Sequence, residues 1–97
     1  MSLKIEKKNA ETLALVGRLD TMTASELEAE ISAMLPTVQS LTLDMEKIDY
    51  ISSAGLRVIL KTQKALEKKS GLKITHVPEA VREVFDMTGF SDFLSME

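Results

Sequence analysis

Apolar and polar residues alternate at the start of the chain, with Leu3 and Ile5 set against Lys4 and Glu6. A period of two predicts a half-buried strand over Leu3 to Lys8. Asn9, Ala10 and Glu11 make a turn. Thr12 to Val16 is more continuously apolar, as in a strand covered on both faces, and Gly17 is expected to end it. Two neighbouring strands joined this way form a hairpin. The period then changes. Ala24, Leu27, Ile31 and Met34 fall on one helical face, and Pro36 stops that helix. Thr23-Ala24-Ser25-Glu26 fits a capping box at its start.

Leu41 and Leu43 alternate with Ser40, Thr42 and Asp44, which predicts a strand over Ser40 to Asp44 and a loop from Met45 to Ser52. A second helix is expected to begin near Ser52 or Ser53 and to run to about Lys68. Leu56, Ile59, Leu60, Gln63 and Leu66 lie near one face, and Lys61, Lys64 and Glu67 point outward. Ser70-Gly71 closes it. Leu72 to Val77 reads as a strand. Pro78 fits the first position of a third helix, with Val81, Val84 and Phe85 inward and Gly89 at its end. Phe90, Phe93 and Leu94 form an apolar tail expected to dock on the body of the domain. The order is β-β-α-β-α-β-α. A strand, a helix and a strand in succession give parallel neighbours, so the expected architecture is an α/β mixed sheet with packed helices.

Composition narrows the function. The 97 residues fit one domain, residues 1–97, and 44% are apolar, as in ordinary globular proteins. The formal charge is −3 and no basic block stands out, so nothing electrostatic points to nucleic acid or an anionic membrane. There is no cysteine, which excludes a disulfide framework, a thiolate metal site and a Cys nucleophile. The N-terminus carries no apolar signal-peptide core, and no apolar run approaches the roughly 20 residues that span a bilayer. A cytoplasmic protein is the expectation.

The informative segment is Asp49-Tyr50-Ile51-Ser52-Ser53-Ala54-Gly55-Leu56. Two hydroxyls and two small residues stand where a loop enters a helix. Helix N-termini carry unpaired amides and partial positive charge, which suit a phosphate. Ala54 and Gly55 are expected to leave the turn uncrowded for a kinase or a partner. On spacing alone, a serine in this place is first of all an N-cap. The two roles are compatible if Ser52 caps and Ser53 stays free.

This segment resembles the signature of STAS domains, the anti-sigma-factor antagonist family, in which a phosphorylatable Ser stands two residues before a Gly-Leu pair. Here that position is Ser53, followed by Gly55-Leu56. Gly17-Arg18-Leu19-Asp20, Leu41-Thr42-Leu43-Asp44 and Phe85-Asp86-Met87-Thr88-Gly89-Phe90 resemble further motifs of the family, in the same order. The resemblance implies a STAS-type mixed sheet of about four to five strands packed with three to four helices. It implies an anti-sigma-factor antagonist, not an enzyme. The unphosphorylated form would bind an anti-sigma factor that is also a GHKL-type serine kinase, releasing a sigma factor. Phosphorylation on Ser53 would dissociate the complex, and a PP2C-type phosphatase would restore it. Family members often carry Asp before the phosphorylated Ser, whereas this chain has Ser52, so Ser52 remains the alternative acceptor. The matching Asp20 would support partner binding, with a plain turn Asp as the bland alternative. The partner-binding set is Asp20, Thr21, Met22, Ser52, Ala54, Gly55 and Arg57. Arg57 is read as an exposed helix residue that can also reach a phosphate. No cofactor or metal is implied, and a monomer is expected.

Other residues weigh less. Asp44 is expected to cap structure, and Asp49 is left open between roles. His76, the only histidine, sits in an expected strand without a neighbouring Ser, Cys or carboxylate motif, and reads as structural or exposed. The six methionines read as filler. A hydrolase would need a Gly-x-Ser-x-Gly elbow and a His base, and the elbow is missing. No phosphate-cradling Gly-rich loop or metal-ligand spacing appears. The remaining rival is a STAS-like scaffold or ligand-binding module that is never phosphorylated.

Overall fold

Leu13 and Leu15 are fully buried, whereas Ala14 on the other face of the second strand lies between half-buried Thr12 and Val16, so the strand is fully covered on one face only, not on both as its apolar run suggested. In a computed structural model that describes residues 3–92 and 95–96, β1 (Leu3–Asn9) and β2 (Thr12–Leu19) form the expected hairpin. Asn9 Oδ1 accepts from the Glu11 amide at 2.9 Å and closes the turn. Then follow α1 (Thr21–Met34), β3 (Ser40–Ile51), α2 (Ser53–Leu66), β4 (Gly71–Thr75), α3 (Glu79–Thr88), a 3₁₀ turn (Phe90–Asp92) and β5 (Ser95–Met96). The sheet has the order β1-β2-β3-β4-β5. Only β1–β2 is antiparallel; each other pair is parallel. The mixed sheet with packed helices is as the resemblance implied.

The central strand is longer than the alternation indicates. The segment Met45–Ile51 belongs to β3 and is not a loop. Between Ala14 and Val16 on β2, the partner residues on β3 advance from Asp44 to Lys47, one more than on β2. A second extra residue enters between Ile48 and Tyr50, opposite Gly17 and Arg18. Each β-bulge adds one residue to β3 and changes which residue faces inward. The buried positions therefore run Leu41, Leu43, Met45 and then Ile48, Ile51. A spacing of three cannot be recognised as a strand by a period-two test. Gly17 does not end β2 but accommodates the second irregularity at φ 115°, and the strand continues to Leu19.

The helices follow their apolar stripes with small shifts. Ala24, Leu27, Ile31 and Met34 are buried as predicted. On α2 the buried stripe is shifted: Val58 and Thr62 are buried while Leu60 and Gln63, expected inward, are half-buried, because α1 and α2 pack side by side. The Thr62 hydroxyl donates to the Val58 carbonyl at 2.8 Å, which satisfies it inside the packed interface. Pro78 is the N-cap of α3 rather than its first residue, and Gly89 ends that helix in the left-handed region. Strand β4 stops at Thr75, short of Val77, because His76 turns the chain with φ 55°. Val81 and Phe85 are fully buried and Phe90 packs against the core; Phe93 and Leu94 lie outside the described residues. No helix among the described residues is long and apolar enough to cross a membrane.

Candidate functional site

Parallel pairing brings the carboxyl ends of β2 and β3 together, with Leu19 opposite Ile51. One residue beyond each end, a helix begins. Asp20 is the N-cap of α1 and Ser52 is the N-cap of α2. The Ser52 amide donates to the Leu19 carbonyl at 2.9 Å and ties the two turns together. Two helix N-termini, with their spare amides, thus open on the same end of the sheet, where open α/β sheets place their functional sites.

The α1 cap differs from the expected Thr23–Glu26 box. The helix starts three residues earlier, and Asp20 takes the cap. Its Oδ1 accepts from the Thr23 amide at 2.9 Å and the Met22 amide at 3.1 Å. The Asp20 amide donates back to Thr23 Oγ1 at 2.8 Å, so Thr23 closes the box from its far side. The Thr23 hydroxyl in turn donates to the Arg18 carbonyl at 2.8 Å. A shorter Asp side chain at the strand end reaches these amides without the Glu26 arm. The Thr23 amide is the chief cause that holds the Asp20 carboxyl below its usual range, with burial opposing it. Asp20 is therefore firmly engaged as a helix cap, a role expected of Thr23 rather than of Asp20, and it also borders the serine turn.

At the α2 turn the two serines divide the work. Ser52 Oγ accepts from the Gly55 amide at 3.2 Å. Ser53 is exposed at the first helical position, and its hydroxyl has no partner among the described residues. Thr21 and Met22 stand on the neighbouring helix start, both exposed, with Met22 at 81%. Thr21, Ala54 and Arg57, with Ser25, line a shallow groove between α1 and α2. Arg57 is exposed, one turn beyond Ser53.

Gly55 plays a different part from the clearance expected of it. It is buried, and a Cβ on it would lie 2.8 Å from Leu19 Cγ and 3.1 Å from Ile51 Cγ1. Its missing side chain lets α2 approach the ends of β2 and β3. Its contribution to an outer surface is through the position it imposes on Ser52 and Ser53.

Two features escaped the linear pattern. The Arg18 guanidinium lies 4.4 Å from the centre of the Tyr50 ring, a cation–π pair at the strand ends, with Tyr50 43% exposed. Only the bulged register that opposes Arg18 to Tyr50 reveals it. Away from this end, His76 lies beside Asp44 and Glu46, contrary to the expectation of no nearby carboxylate and no metal-ligand set. His76, just past the end of β4, lies 32 residues beyond Asp44 in sequence and is brought to it by the pairing of β3 with β4. Asp44 also does not end its strand; it accepts from the Glu46 amide at 3.1 Å, at the first bulge.

Comparison with known proteins agrees with this fold. A family model described as "Mlab, STAS domain" matches residues 4–95. BtrV of Bordetella bronchiseptica, named as a candidate anti-sigma factor antagonist, is 39% identical over 93 residues, covering 93% of this chain and 80% of its own. An anti-sigma-B factor antagonist of Bacillus subtilis is 25% identical over 100 residues, covering 99% of this chain and 92% of its own. Among solved structures, unphosphorylated SpoIIAA, an anti-sigma factor antagonist, superposes with a TM-score of 0.79 at 22% identity, over 99% of this chain and 88% of its own. The phosphorylated form of the Bacillus protein SpoIIAA superposes with a TM-score of 0.72 at 21% identity, over 99% and 91%. These structures share the fold of the chain.

Proposed function

This chain belongs to the STAS domain family, and on that premise we propose that it is an anti-sigma factor antagonist that works by partner switching. Unphosphorylated, it binds an anti-sigma factor of the GHKL serine-kinase type in the cytoplasm, and a sigma factor is released. The kinase phosphorylates Ser53, the complex separates, and a PP2C-type phosphatase restores the binding form. The domain itself supplies a docking surface and a phosphate acceptor, and no catalytic group.

The observation that carries this reading is the division between the two serines. The Ser52 hydroxyl is taken up in capping the helix, whereas the Ser53 hydroxyl is exposed and uncommitted. That favours Ser53 over Ser52 as acceptor. A phosphate brings about −1.5 to −2 charges at pH 7. On the free domain the helix N-terminus stabilises it. Inside a closed interface, without a cation from the partner, it costs desolvation and repulsion of roughly 3–4 kcal/mol. At about 1.4 kcal/mol per tenfold, binding weakens several hundred-fold without refolding. Thr21, Met22, Ala54 and Arg57 are the surface around it, with Asp20 and Gly55 setting the backbone beneath.

Incubation with the cognate kinase and ATP, followed by peptide mass spectrometry, is expected to place one phosphate on Ser53. Ser53→Ala retains kinase binding and Ser53→Asp weakens it. Equal affinity of the two variants would remove the switch. It would leave a scaffold or ligand-binding module as the better account.

A further inference from the structure

Asp44, Glu46 and His76 each offer one ligand atom, and these atoms all lie within 4.8 Å of one another. Asp44 and Glu46 are two apart on β3. Thr75, the residue before His76, pairs with Asp44 across to β4. The left-handed turn at His76 then carries its ring back over β3, with Nδ1 3.2 Å from Asp44 Oδ1. In a tetrahedral site with bonds near 2.0–2.2 Å, two ligand atoms stand roughly 3.3 Å apart. The Asp44–His76 spacing is therefore already one edge of such a site. The Glu46 carboxylate is exposed, has no ion pair or hydrogen bond among the described residues, and needs only a rotamer change to close the second edge.

We infer that Asp44, Glu46 and His76 bind one divalent transition-metal ion, with Zn²⁺ as the best match. One imidazole and two carboxylates form a donor set of borderline softness, which suits Zn²⁺ better than the all-oxygen cations Mg²⁺ and Ca²⁺. Two negative ligands balance the charge of the ion. Ligation through Nδ1 leaves the imidazole proton on Nε2. The His76 side chain is 64% exposed and that of Asp44 is 23% exposed, so the ion enters from solvent and keeps a water in its fourth position. Lys8 and Lys47 line the adjoining groove with Asp44 and Glu46, and their positive charge opposes a cation there. The site is separate from the serine turn. Six strand residues lie between Asp44 and Ile51, so seven steps of about 3.3 Å separate them by roughly 23 Å along the strand. Its effect is to clamp the end of β4 to β3.

The test is calorimetric titration of the chelator-treated full chain with Zn²⁺, paired with thermal unfolding. One equivalent is expected to bind saturably and to raise the unfolding temperature, because the three donors converge only in the native state. Glu46→Gln and His76→Asn are each expected to weaken binding on the order of tenfold or more. Asparagine suits the left-handed backbone at position 76, so this variant keeps the turn. Ser53→Ala is expected to bind Zn²⁺ as the unaltered chain does. Uptake that does not saturate, or that Glu46→Gln and His76→Asn leave unchanged, overturns the assignment. Preference for Mg²⁺ over Zn²⁺ overturns it equally.

Discussion

Replacing Gly55 with alanine adds one methyl group where three carbon atoms already stand too close. The new Cβ would meet Leu19 Cγ at 2.8 Å, Leu19 Cδ2 at 3.0 Å and Ile51 Cγ1 at 3.1 Å. Ordinary carbon–carbon contact is about 3.5–4.0 Å, so each pair overlaps by several tenths of an ångström. Neither neighbour can easily yield, since Leu19 is 0% and Ile51 5% exposed. Overpacking costs about 1–3 kcal/mol, and three simultaneous overlaps put this site at the upper end, about 2–3 kcal/mol. Against it stands the helix preference of alanine over glycine, worth about 1 kcal/mol. The clash wins, and the net loss is about 1–2 kcal/mol. Urea unfolding followed by far-ultraviolet circular dichroism reads it directly as a lower midpoint with unchanged slope. Ser53→Ala, two residues earlier and exposed, serves as control and should stay within about 0.5 kcal/mol. A Gly55→Ala protein as stable as the parent, or more so, would refute the close approach of α2 to the strand ends. A helix displaced by the added methyl would also carry Ser52 and Ser53 away from Asp20, so weaker kinase binding should accompany the lost stability.

Ser52→Ala removes the acceptor of the Gly55 amide and should lower stability by about 1 kcal/mol, while mass spectrometry still finds phosphate on Ser53. Asp20→Asn keeps a capping oxygen but removes the charge. Because the folded-state value of Asp20 is lowered, chiefly by the Thr23 amide, its ionised form stabilises the native state. That stability is fully present above the unfolded value of about 3.9 and is lost as pH falls through the lower folded value. Acid unfolding curves of the parent and Asp20→Asn should therefore differ at neutral pH and converge in strong acid; parallel curves would refute the assignment. Phe85→Ala, at a site with 0% exposure, should cost about 3–5 kcal/mol in the same urea assay.

Much of the serine turn is legible in the sequence. Hydroxyls before an apolar helical stripe mark a helix start, and the capping rules already allowed Ser52 to cap while Ser53 stayed free. Asp20 was harder. Thr23-Ala24-Ser25-Glu26 has a good capping pattern, but so does Asp20 with Thr23, and linear spacing does not rank them. The decision came from β2 running on to Leu19, which leaves Asp20 as the first residue able to begin the helix.

The amino-acid sequence by itself determined the element order from β1 to α3, the inward stripe of α1 and the serine pair at the start of α2. Those properties depend on neighbours within about one turn or one strand, and local periodicity records them. Tertiary structure alone decided the length of β3, because bulges are defined only against the strand they pair with. It decided that Gly55 is a contact point rather than open space, because the atoms that fill that space belong to Leu19 and Ile51. It also brought His76 to Asp44 and Glu46, since pairing across parallel strands joins residues that lie far apart along the chain.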